Sequence, residues 1–407
     1  LCSDGGKYLL DCQSLCADTL PALCHTYRHS DGFFGRAVFY LDYQKALSFS
    51  NIGEIVMNFG QATDGQRVLR FANGLQMRTR DIKIGLCLFT ITIILMAISL
   101  NVGVTNVGIR EFTHMLFGYS LEHHQFYALW VVRIPHILLG LMVGWCAALA
   151  GAILQPIARN PLADPGLFGI SQGSMTMIIV LLAFVPSAPK MLIVLAALAG
   201  GLIVALFLTL IVGNNRASGL AILLMGIAIS SVLSSVSSFL ILYLPTELSL
   251  NLAGWMQGSL FQASWSIIAS FMPLFLLSII GILITGPVLN RYELGNELAM
   301  SLGEPIKYSR PLLMMFAVLL SAASVTAVGP LSFLGILAPH LASFISSATG
   351  RARLFLSALV GGNLVVTADI MTKTAPTGVF LPVGLSFTLI GVPLFILTMR
   401  LSALRKR

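Results

Sequence analysis

Charge is the scarcest ingredient of this chain. Only 16 acidic and 24 basic side chains stand among 407 residues, 10% in all, against roughly a quarter in ordinary soluble proteins. So few charges exclude a set of solvated domains. Catalytic signatures are missing too. There is no G-x4-G-K-[ST] phosphate loop, no H-E-x-x-H pair, no carboxylate cluster inside an apolar run and no nucleophile triad. The sequence therefore reads as a non-enzyme with no energy source of its own. No basic start followed by an apolar core marks a cleavable signal. Six cysteines occur, four of them (Cys2, Cys12, Cys16, Cys24) within the first 24 residues. With His25 and His29 they fit no usual zinc spacing, because the two halves sit too close together. Neither a metal nor another cofactor is expected. The net charge of +8 comes from basic residues scattered singly, without a stripe or interleaved aromatics, so nucleic acid is not a partner.

What is present is apolar: 57% hydrophobic residues and a mean hydropathy of +0.89. Charged residues avoid the bilayer centre, so the gaps between them measure membrane spans. Uncharged intervals at 84–109, 134–158, 165–189, 191–215 and 217–246 each hold one helix of about 20 residues. Intervals 354–368 and 374–399 hold one each. The 40 uncharged residues after Arg310 would make one helix of about 60 Å, twice the hydrocarbon thickness. Val328, Gly329 and Pro330 break that run into two helices. Between Glu247 and Arg291 only residues 266–287 should cross, because Asn251–Trp265 is too polar and forms a short helix at one face. The expected fold is all-α, a polytopic membrane protein of ten transmembrane helices over 81–407. With the N-terminus in the cytoplasm, fourteen basic residues from Arg78 onward fall inside and four (Arg110, Arg133, Lys190, Lys373) outside, as the positive-inside rule demands. Both termini are then cytoplasmic. Residues 1–80 stand apart as a mixed-polarity extension, and Met77 before the first span fits a natural start.

Two non-spanning stretches are unusual. From Gln155 to Gly173 three prolines (Pro156, Pro161, Pro165) interrupt the apolar pattern, so no helix continues through. Asp164 before Pro165 predicts a cap and an immediate helix restart. Gln155, Arg159, Asn160, Pro161, Asp164 and Pro165 are the residues of this cytoplasmic elbow. From Glu293 to Leu302 a short helix is predicted with Leu294, Leu298 and Leu302 on one face, flanked by Glu293 and Glu297 and ended by Gly303. An apolar stripe outside the membrane needs a cover, either this protein's own helix ends or a partner. His340, after Pro339 within a span, could relay a proton or bond a backbone carbonyl freed by the proline.

These features together resemble the permease subunits of ABC importers for iron–siderophore complexes, haem and cobalamin. The likeness spans about 84–401 and rests on separated motifs. They are Arg133 to His136, Gly151 to Gln155 with Arg159 to Gly169, Gly254 to Leu260, Glu293 to Gly303, Gly329 to His340, and Leu381 to Gly384 with Ile390 to Phe395. The resemblance implies a pair of ATP-binding subunits docking on Glu293–Gly303 and a second, identical or sister permease. It further implies a periplasmic or lipid-anchored binding protein in a bacterial inner membrane. Trp255, Gly258, Ser259, Pro339 and His340 would then belong to the pathway or its gate. Iron–siderophore is the favoured cargo, with haem or cobalamin as alternatives. An ion-coupled carrier is the rival of another class, and would need coupling acids in the spans.

Overall fold

The computed structural model describes residues 58–61, 67–70, 76–103, 105, 107–212, 219–375 and 381–405. The N-terminal cysteines and His25 and His29 lie outside them. The chain divides into two units, Leu1–Thr79 and Arg80–Arg407. In the first, strands β1 (Asn58–Gln61), β2 (Arg67–Arg70) and β3 (Gln76–Arg78) form an antiparallel sheet in that order. Asn58 pairs with Arg70 and Val68 with Arg78. The all-helical expectation therefore describes the second unit only.

That unit opens with α1 (Thr79–Asn101), α2 (Ile109–Leu116) and α3 (His123–Phe126). A π-helical stretch, Tyr127–Arg133, leads without a break into α4 (Ile134–Ala158). Next come α5 (Ile170–Phe184), α6 (Lys190–Val212), α7 (Gly219–Leu242) and α8 (Thr246–Met256). The remainder is α9 (Trp265–Tyr292), α10 (Asn296–Ser301), α11 (Ile306–Val328), α12 (Leu334–Ile345), α13 (Gly350–Thr374) and α14 (Val383–Arg405). Among the described residues eight helices are long and apolar enough to cross a membrane, and the shorter apolar helices α5 and α12 bring the number to ten. The polar segment after Glu247 does form a short helix, but α8 begins earlier than expected, at Thr246, and stops at Met256.

Small residues decide which helices lie at the centre. The bundle interior is built on α4 and α13, whose apolar windows are 83% and 72% buried, whereas α7 is only 11% buried and faces outward. Gly140, Gly144, Ala148 and Gly151 line one side of α4 at spacings of three or four. A side chain at Gly144 would strike the backbone of Gly361 and Gly362 on α13, and one at Gly151 the backbone of Gly335 on α12. Lipid offers no hydrophobic drive between helices, so close backbone approach and dispersion supply the association instead.

The two short apolar helices follow breaks. Gly329 ends α11 at φ 84° with the Trp255 carbonyl where its side chain would be, so both conformation and space require glycine. Phe333, at φ 65°, precedes α12. Gly169, at φ 73°, precedes α5.

Candidate functional site

At one end of the bundle α9 finishes at Tyr292 and the chain turns outward. The expected helix Glu293–Leu302 is not continuous. Gly295 takes φ 99°, leaving Glu293 and Leu294 in a turn and only the six residues of α10 helical. Gly303, at φ 81°, ends the segment. The exposure expected of the leucines holds: Leu294, Leu298 and Leu302 are 54–58% exposed, with Met300 beside them, while only Ala299 of α10 turns inward. Glu297 is exposed as well. Buried Glu304 accepts a 2.7 Å charged hydrogen bond from Arg291, clamping the two ends of the segment together.

A chain of polar contacts leads inward from this segment. Arg353, in the first turn of α13, donates from Nη1 to Glu293 Oε1 at 2.6 Å and from Nη2 to Gln155 Oε1 at 3.0 Å. Gln155, buried on α4, donates its amide to the Gly335 carbonyl on α12 at 3.3 Å. Only that amide orientation satisfies both neighbours. The Asp164 carboxylate closes on the same residue, its Oδ1 standing where a side chain on Gly335 would be.

The elbow corrects the expectation in two ways. Pro156 lies inside the last turn of α4, where it removes the N–H that would reach the Ala152 carbonyl, and the helix closes just after it by a Schellman motif. Asn160 N–H donates to Gln155 O at 3.2 Å and Arg159 N–H to Pro156 O at 3.3 Å, with Arg159 in the left-handed position at φ 50°. The Arg159 guanidinium reaches to within 3.7 Å of where a side chain on Gly295 would stand, so elbow and outward segment adjoin. Helix does not restart at Pro165. Asp164 instead makes a local turn, accepting from Gly166 N–H at 2.8 Å, and α5 begins only at Ile170. Arg159, Pro161 and Leu162 stay exposed while Ala163, Asp164 and Pro165 fold into the interior.

Asp164 thereby caps the N-terminus of α12 from another part of the chain, where Phe333 supplies no side-chain cap. Burial pushes its carboxyl up to about 6, against the opposing pull of the Gly166, Leu167 and Gly335 N–H groups. It faces a cavity of about 20 Å³ lined also by Ser171, Ser321, Ser324 and Gly329, room for one water. Ser171 and Ser321 share a 3.1 Å hydrogen bond there.

The opposite end is organised by other charges. Buried Arg133 donates to the carbonyls of Leu100, Thr105 and Val107, collecting the C-terminal end of α1. Asp369 and Lys373 pair at 2.5 Å one turn apart on α13, Lys373 also reaches Ser99 of α1 at 3.0 Å, and His136 lies 4.0 Å from Asp369. Asp369 is thus a buried acid inside a helix, although the charge map places it at a span's edge. The Trp130 and Trp265 rings pack at a tilt, 4.7 Å between centroids.

Residues 91–401 match the FecCD transport family. The chain belongs to that family. It is 33% identical over 299 residues to the Fe(3+) dicitrate transport system permease protein FecD of Escherichia coli (strain K12), covering 74% of this chain and 92% of the relative. It is 30% identical over 311 residues to the hemin transport system permease protein HmuU of Yersinia pestis, covering 75% and 92%. A solved structure described as an inward-facing conformation of a metal-chelate type ABC transporter superposes with a TM-score of 0.68 at 26% identity, covering 78% of this chain and 99% of that one.

In this FecCD protein the residues singled out from sequence fall into separate places. Gln155, Asp164 and Glu293 join one network through Arg353 and Gly335, two residues that motif spacing did not single out for it. Trp255, Gly258 and Ser259 gather at the other end: Ser259 N–H donates to Val328 O at 2.8 Å, and Gly384 N–H to Gly258 O at 3.3 Å. Pro339 and His340 pack elsewhere, on α12. The His340 ring lies 5.0 Å from that of Phe395, and its buried Nε2 has no hydrogen-bond partner among the described residues. No group of three His, Cys, Asp or Glu side chains able to hold a metal occurs among the described residues.

Proposed function

We propose that this chain is the membrane-spanning permease subunit of an ABC importer, and that its cargo is an iron–siderophore complex. A pair of ATP-binding subunits docks on 293–303, an identical or sister permease completes the pathway, and a periplasmic or lipid-anchored binding protein delivers the ligand. The basic end then faces the bacterial cytoplasm, with both termini. The observation that carries this reading is the clamped outward segment with Leu294, Leu298, Met300 and Leu302 exposed beyond the spans. Apolar surface presented to water on a built platform calls for a protein cover. Closure of the ATPase dimer would press on that platform and tilt the helices attached to it.

The docking assignment is tested by replacing Leu298 and Leu302 together with Asp. Co-purification of the ATP-binding subunits should be lost while the protein still inserts; a complex that survives refutes docking here. The cargo rests on relatives named for Fe(3+) dicitrate, iron(3+)-hydroxamate and ferric enterobactin. Haem or cobalamin is the second reading, because other relatives are named for hemin and cobalamin. Uptake of radiolabelled ferric citrate against haemin and cobalamin separates these. An ion-coupled carrier would have to use a buried acid such as Asp164 or Asp369, and uptake that persists with an inactive ATPase would favour it.

A further inference from the structure

We infer that Arg353 is a positioning residue that carries displacement of the docking segment to the turn at 329–333. The inference rests on the reading of 293–303 as the ATPase platform. Its basis is the junction at Gly335. One guanidinium holds Glu293 of the segment and Gln155 of α4 with separate nitrogens. Gln155 holds the Gly335 carbonyl, and the Asp164 carboxylate of the elbow packs directly on Gly335. Gly335 stands two residues after Phe333, the left-handed residue where the turn from Gly329 enters α12. That turn is locked in its turn to the outer element: the Trp255 carbonyl packs on Gly329, and Ser259 N–H bonds Val328 O at 2.8 Å. The route is short because α12 is only 12 residues long, so its N-terminus lies within reach of side chains from the opposite end. Backbone at Gly151 and Gly335 is in direct contact, with no compressible side chain between them. Arg353 also keeps its buried Nε without a hydrogen-bond partner among the described residues. One donor is therefore left over for another arrangement of its neighbours.

Spatial continuity alone does not demonstrate coupling, which needs two readouts and a mutant cycle. The complete transporter in nanodiscs, with every native cysteine but buried Cys146 replaced by Ser and carrying Ser332→Cys in the exposed turn, is labelled with a membrane-impermeant maleimide, with and without ATP plus vanadate. Phosphate release is followed in parallel. The relay predicts a nucleotide-dependent change in labelling rate in the parent protein. R353Q and Q155L should shrink that change at least five-fold with phosphate release within two-fold of the parent. E293R combined with R353E should recover part of it. R353K, which keeps the charge but not the fork, should be intermediate and guards against simple misfolding. The relay is overturned by a labelling change that persists in R353Q, by strictly additive effects of E293Q and Q155L, or by a parent protein with no nucleotide-dependent change. If the ATP-binding subunits do not assemble with the parent protein at all, the platform reading fails first, which is distinguishable.

Discussion

The two ends of the bundle use the same kind of ion pair for opposite purposes. At one end Arg353 and Glu293, 60 residues apart, join two segments, and apolar side chains are left exposed around them. At the other end Asp369 and Lys373 neutralise each other within one turn of a single helix, with Ser99 attached. The Glu293 side chain is 21% exposed and that of Asp369 only 4%. A solvated bridge costs little to open, so it suits a link between parts that move. A desolvated one is costly to break, so it suits a fixed joint.

The comparison breaks most sharply at Lys373. Replacing Lys373 with Met leaves Asp369 buried without its partner, and the loss should be about 3–5 kcal/mol, read as thermal unfolding in detergent. Adding Asp369→Asn should recover most of it, and a Lys373 variant as stable as the parent would show that the joint is not desolvated as described.

Asp164 sits between these extremes. Removing the cap with Asp164→Ala should cost about 1–2 kcal/mol. Its folded pKa of about 6 lies above the ordinary 3.8, so its ionisation opposes folding. Its contribution is fully favourable below the unfolded value and is lost as pH rises through about 6. Melting of the parent should therefore fall, relative to Asp164→Asn, between pH 4 and about 7 and run parallel above that; an identical pH profile in the two proteins would contradict the burial. The smallest effect belongs to Glu293. Its exposed carboxylate makes Glu293→Gln worth less than about 1 kcal/mol of stability, so a melting curve near that of the parent is expected.

Much of the bundle was legible because charge is so rare. The long intervals without Asp, Glu, Lys or Arg each hold one helix or two, and Gly329 breaks the longest run after Arg310 where Val328, Gly329 and Pro330 pointed. Local geometry was less legible. Asp164 followed by Pro165 suits an N-cap or a self-closed turn equally well, and packing against Gly335 selects the turn. The leucines at 294, 298 and 302 have helical spacing, yet Gly295 between the first two adopts a conformation that periodicity does not register. Arg291 and Glu304, 13 residues apart across two glycine breaks, carry no spacing signal at all.

The sequence by itself determined that this chain lives in a bilayer and which of its runs form apolar helices, since desolvating charge is prohibitive in hydrocarbon. Only tertiary structure decided what meets at Gly335. Gln155 and Arg353 are 198 residues apart, and Gln155 and Gly335 are 180 apart. Their meeting depends on glycine-lined helix crossings whose partners no local pattern names.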